Sequence, residues 1–214
     1  YPLAMFACEL NTIPFGITNS GYMPADVLSP KYGGGKEKPE LYVLRMTRAM
    51  LAGMLIHNSM PAMNRSHSGI FDKIVRIYHA FGVPQAKFYG YYNPENPAIV
   101  MEGEEVYASS YRHANGRELL TVVSHIGNKR IDQTVKIRFA PEKLSMKPFV
   151  NATEKIDAYD PEYQELYTLR EKNGVPDFRA PLDYQPGGAK IVEFKNGVLT
   201  LELKAHTFAL IRLE

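Results

Sequence analysis

Val106-Tyr-Ala-Ser-Ser-Tyr-Arg112 and Glu118-Leu-Leu-Thr-Val-Val-Ser-His125 are two β-prone runs that flank His113-Ala-Asn-Gly116. Asn-Gly is the strongest short hairpin signal, because both residues tolerate the positive φ that a tight turn demands. These residues therefore predict an antiparallel hairpin. Downstream, Thr-Val-Lys-Ile-Arg-Phe (134–139) alternates apolar and polar, as a strand with one wet face should. Lys190 to Phe194 and Val198 to Glu202 flank a second Asn-Gly pair, Asn196-Gly197, and Thr207 to Leu213 reads as a last strand. Short strands separated by regular turn signals predict an antiparallel β-sandwich over residues 98–214. One insertion interrupts it: a short helix near 160–173, closed by Asn173-Gly174.

Upstream the pattern changes. Leu3 to Leu10 is a nearly continuous apolar run, the signature of a strand buried on both faces. A Gly- and Pro-rich connection with Gly33-Gly34-Gly35 follows, then a helix from Glu40 to about Ala52. Gly53-Met-Leu-Ile-His57 reads as a second buried strand opening into a loop from Asn58 to His67. Ser68 caps a helix to Phe81, ended by Gly82, and Lys87 to Tyr92 reads as a third strand. Strand–helix–strand–helix–strand is the order of repeated βα units. Residues 1–97 are thus expected to be the terminal βα units of a (β/α)₈ barrel, incomplete because such a barrel takes about 250 residues. The fold class expected is α/β followed by all-β.

Three stretches carry a family likeness: Ser68–Tyr92, Tyr107–Phe139 with its Ala108-Ser-Ser-Tyr-Arg112 and Leu119-Leu-Thr-Val-Val-Ser124, and the closing His206-Thr-Phe-Ala-Leu-Ile-Arg212. With the Asn93-Pro-Glu-Asn-Pro97 crossing between the halves, the chain resembles the C-terminal end of a multidomain (β/α)₈ glycoside hydrolase. The resemblance implies carbohydrate chemistry, an oligo- or polysaccharide partner, further polypeptide upstream to complete the barrel, and a secreted or periplasmic setting.

In such barrels the site lies at the C-terminal ends of the strands and in the loops after them. Glu9 occupies that place and is the candidate catalytic carboxylate; Asp26 is the weaker candidate for a second. Asn11, His57, Asn58, Arg65 and His67 are candidate substrate-binding residues on the same loops, with Asn64 beside them. Tyr91 belongs to a tyrosine group, with Tyr89 and Tyr92, whose rings suit a sugar's apolar face. Tyr159, Tyr163, Tyr167 and Tyr184 cluster in the insertion, and the chain has no Trp.

Composition narrows the rest. The 214 residues are 45% hydrophobic and 22% charged, with Lys+Arg 25 against Asp+Glu 23 for a net charge of +2. So small a charge argues against nucleic acid as the partner. The single Cys8 excludes an internal disulfide and a cysteine-cluster metal site. His57 and His67 lack a nearby acidic partner at ligand spacing, and His113, His125 and His206 sit in a turn and at strand ends, so no metal is expected. The glycines at 33–35 lack the spacing of a phosphate cradle, so no cofactor is expected either. No apolar run approaches the roughly 18–20 residues of a membrane span. Opening on Tyr1 without a signal-peptide pattern, the chain reads as processed or cut. Two functions follow: part of a glycoside hydrolase whose isolated segment is inactive, or a non-catalytic β-sandwich that binds carbohydrate or protein.

Overall fold

A computed structural model describes residues 20–21, 39–61, 68–127, 131–157 and 188–214, with side chains placed for most of them. The expected strand at 3–10, the glycine-rich connection and the 160–173 insertion lie outside the described residues.

Two antiparallel sheets face each other. One has five strands in the order β3-β5-β6-β11-β8: β3 (Lys87–Tyr89), β5 (Val106–Arg112), β6 (Leu119–His125), β11 (Phe208–Leu213) and β8 (Ala152–Glu154). The other has four in the order β4-β7-β10-β9: β4 (Ala98–Glu102), β7 (Gln133–Phe139), β10 (Val198–Leu203) and β9 (Ala189–Lys195). A two-residue parallel ladder joins β1 (Ser20–Gly21) to β2 (Met60–Pro61), pairing Ser20 with Met60 and Gly21 with Pro61. Two α-helices, α1 (Pro39–Leu55) and α2 (Ser68–Phe81), and two short 3-10 turns, Val83–Gln85 and Pro141–Leu144, complete the described elements.

Period-two alternation sends each strand's side chains to two destinations. From the five-stranded sheet, Ala108, Leu119, Val123, Ala209, Ile211 and Leu213 point inward against Val135, Ile137, Leu199 and Leu201 of its neighbour. Their alternates, Tyr111, Leu120, Val122, Phe208 and Leu210, point outward and are covered by Leu51 and Leu55 of α1 and by Ile70 and Ile74 of α2. Helices, five-stranded sheet and four-stranded sheet form three layers around two apolar cores.

Both Asn-Gly hairpins form. Asn196 (φ 51°) and Gly197 (φ 73°) are both left-handed, and the turn sets Lys195 opposite Val198. That is the type I′ geometry whose twist matches the strands it joins. Helix α2 begins at Ser68 and ends before Gly82, whose φ of 76° favours glycine.

The barrel expectation is overturned. Lys87–Tyr89 pairs antiparallel with β5, Phe88 opposite Tyr111, and so forms an edge of the five-stranded sheet. A βα unit requires a parallel partner. Residues 53–57 are no strand, because α1 continues through Leu55 and closes in a turn at 56–58. Leu51, Ala52, Met54, Leu55 and Ile56 are buried, so the helix end is apolar on several faces. A short apolar run of that kind reads identically in a buried strand and a buried helix. No described helix is long and apolar enough to cross a membrane.

Candidate functional site

The end of α1 is where the structure brings sequence candidates together. Ser59 N–H donates to Met54 O at 3.2 Å and Asn58 N–H to Leu55 O at 3.1 Å, with Asn58 left-handed at φ 56°. This is the Schellman arrangement, which satisfies carbonyls that the helix would otherwise strand. His57 N–H bonds to Met54 O, so the Gly53 carbonyl is taken by the His57 ring instead, Nδ1–H donating at 2.7 Å. That fixes the tautomer and leaves Nε2 to accept from the Tyr91 hydroxyl at 3.4 Å. Burial lowers the His57 pKa, partly offset by the Gly53 carbonyl, so the ring is neutral at pH 7.

The Asn58 side chain turns to the sheet, its Oδ1 accepting from the Tyr111 hydroxyl at 2.9 Å. Buried Ser109 joins the same parts: its hydroxyl donates to Ile56 O at 2.7 Å and accepts from Tyr91 N–H at 2.9 Å. Helix end, sheet and the turn after β3 are thereby locked. Of the sequence candidates, His57 and Tyr91 meet and Asn58 lies beside them; Glu9, Asn11, Arg65 and His67, with Asp26 and Asn64, lie outside the described residues.

Tyr91 is the centre of an aromatic group. Its ring lies 5.0 Å from Tyr107, 5.2 Å from Tyr92 and 5.4 Å from His57, centre to centre and edge to face in each case. Burial raises the Tyr91 pKa, with Tyr107 and Tyr92 adding to the effect, so the phenol stays a neutral donor. Tyr92 is 48% exposed, and its ring lies over Gly90, where an added Cβ would stand 2.5 Å from ring atoms. Only glycine allows that stacking.

Beside this group opens a cleft of about 280 Å³, lined among others by Tyr91, Tyr107, Asn93, Asn96, Val106 and Lys143. Its polar wall is tightly held. Asn96 donates to Ala108 O at 2.7 Å, and Lys143 Nζ donates to Pro94 O at 3.0 Å and Asn96 O at 3.1 Å. Asn93 Oδ1 accepts from Glu95 N–H at 2.8 Å, fixing the turn. None of the described lining residues is a carboxylate. Asn96, Tyr107 and Lys143 were missed as site residues in the sequence: β5 carries Tyr107 to the group, and the turn at 141–144 brings Lys143 onto the carbonyls of Pro94 and Asn96.

A pair of carboxylates does exist elsewhere, at the β8 edge. Glu154 accepts from Ile156 N–H at 2.8 Å and Asp157 N–H at 2.6 Å, and its pKa is pushed up to about 7 by burial and then by Asp157. Asp157 pairs with Arg48 of α1 and accepts from Gly188 and Ala189 N–H at 2.8 and 2.9 Å. Lys73 of α2 donates to Ile156 O at 2.8 Å. Glycoside hydrolysis needs two carboxyl groups facing a bound sugar. These two are turned into backbone amides and a cation; Asp157 ties α1 to the sheet edge through Arg48, and Lys73 ties α2 there through Ile156 O.

Compared with known proteins, the chain matches no family model, no curated sequence and no solved structure.

Proposed function

We propose that the chain is a non-catalytic carbohydrate-binding β-sandwich, an accessory part of a secreted or periplasmic carbohydrate-active hydrolase. The observation that carries this reading is the Tyr91–Tyr92–Tyr107 group beside a cleft walled by Asn93, Asn96 and Lys143. Tyrosine offers an apolar face to a sugar's C–H surface and a hydroxyl to its rim. The hydrogen bonds behind the group hold the rings in place before a ligand arrives, which lowers the cost of binding. The absence of a carboxylate among the described lining residues favours binding over hydrolysis at this cleft.

A panel of immobilised oligosaccharides, followed by calorimetry on the best binder, tests the proposal. At least one glycan should bind, and Tyr107→Ala or Tyr92→Ala should weaken it by about tenfold or more. Gly90→Ala should weaken it too, by pushing the Tyr92 ring aside. Silence across the panel, or affinity indifferent to all three substitutions, overturns the reading. Hydrolysis of an aryl-glycoside that is abolished by Glu9→Gln would replace it with the catalytic one.

A further inference from the structure

At one end of the sandwich two imidazoles lie close together without enough partners. His125 ends β6 and is 1% exposed; His206 stands immediately before β11. Their ring centres are 6.0 Å apart at an interplanar angle of 40°. Nδ1 of His125 and Nε2 of His206 are both shut off from solvent, and neither has a hydrogen-bond partner. A polar atom buried without a partner forfeits its hydration, so natural folds rarely tolerate one. Here two of the same chemical kind occur as neighbours.

Three further features bear on what could sit there. The backbone of Lys204 holds His125 through a hydrogen bond, and with Nδ1 unpartnered that bond falls to Nε2. A ring nitrogen tied to the backbone while the other keeps its lone pair is the arrangement by which folds orient a metal-binding imidazole. The carboxylates of Glu105 and Asp132 lie near enough to act on His125, giving this end a potential that favours a cation. Strain marks the same place: His206 (φ 53°) and Glu105 (φ 53°) are both left-handed, a conformation that must be imposed on them by their surroundings.

We propose that His125 and His206 form a binding site for one divalent transition-metal ion of the zinc class. With metal–nitrogen bonds of about 2.0–2.1 Å, one ion held by two imidazoles sets the ring centres roughly 5–6 Å apart. The observed 6.0 Å meets that requirement. Among the described residues no group of three or more His, Cys, Asp or Glu converges as a ligand set, so the two imidazoles are the protein ligands of the site. Zinc suits such nitrogen ligands.

The test is Zn²⁺ titration of the chelator-treated whole chain, by calorimetry and by thermal unfolding. Wild type should take up one ion at this site and unfold at higher temperature in its presence, because the ion binds the folded chain preferentially. His206→Asn, which keeps a residue that tolerates positive φ, should weaken uptake by about tenfold or more and abolish the thermal shift. His125→Gln should do the same, and His113→Gln, in the turn at the opposite end of the β5–β6 hairpin, should not. No uptake by wild type, or uptake unchanged in both His206→Asn and His125→Gln, overturns the site and leaves the two nitrogens to an enclosed water.

Discussion

The five-stranded and four-stranded sheets are built from strands of similar length, yet their sequences obey different rules. In β7, Gln133–Phe139, the alternate residues Val135, Ile137 and Phe139 are buried and those between them meet solvent. In β6, Leu119–His125, all seven residues are buried, and β11 is nearly the same. The cause is the helical layer. It covers the outward face of one sheet and leaves that of the other wet, so one sheet must be apolar twice over. An unbroken apolar strand in a chain like this one signals a third layer on an antiparallel sheet as readily as a parallel sheet.

The sharpest way to break this comparison is to cut matching side chains from the two outer faces. Phe208 of β11 is 0% exposed beneath the helices, whereas Val192 of β9 is 54% exposed. Phe208→Ala should cost about 3–5 kcal/mol, the range for emptying an aromatic site in a closed core. Val192→Ala should stay within about 0.5 kcal/mol. Urea unfolding followed by circular dichroism measures both. Equal losses would mean that the helices do not cover the sheet as described.

A second, smaller difference is electrostatic, because the anchorage of the helical layer contains a carboxyl group that resists ionisation. Glu154 is raised from 4.5 to about 7 in the fold, chiefly by burial. Below about pH 4.5 it is protonated in folded and unfolded chain alike, and its contribution is complete. Between 4.5 and about 7 the unfolded chain ionises first, so stability falls as pH rises, by on the order of 3 kcal/mol in all. His57 and His125 act oppositely: their lowered pKa values mean stability is lost as pH falls below 6.5. Between pH 4.5 and 6.5 the two trends oppose each other, so urea midpoints should rise more steeply with pH in Glu154→Gln than in wild type. An identical slope in both would show that Glu154 ionises as freely in the fold as outside it.

Which parts of this were legible beforehand follows from how local the signals are. The α2 helix, both Asn-Gly hairpins and the sandwich rest on short-range patterns, and residues 68–81, Gly116 and Asn196-Gly197 behave as their patterns dictate. Gly53–His57 failed because five apolar residues carry no period; Asn58, a residue at home in the left-handed region, was the available sign of a helix end. The barrel failed because strand direction is a tertiary property that no residue in Lys87–Tyr89 encodes. Tyr91 was identifiable by its chemistry alone. Its companions Tyr107 and Lys143 were not, and neither was the proximity of His125 to His206, since only the fold makes them neighbours.

The smallest effect concerns the two Asn-Gly pairs, one in each sheet, which look alike in sequence and work differently. Asn196 is itself left-handed, so its value lies in its backbone. Asn115 is not among the positive-φ residues; its side chain accepts from Arg117 N–H at 2.9 Å and donates to Glu118 Oε1 at 2.9 Å. Replacing each with glycine separates the two roles. Asn196→Gly keeps the required φ and should change stability by no more than a few tenths of a kcal/mol, while Asn196→Ala should cost about 1 kcal/mol. Asn115→Gly loses two exposed hydrogen bonds and should cost about 0.5–1 kcal/mol. If Asn196→Gly proved the more damaging of the two glycine variants, the turn between β9 and β10 would depend on its side chain, and the distinction between the hairpins would vanish.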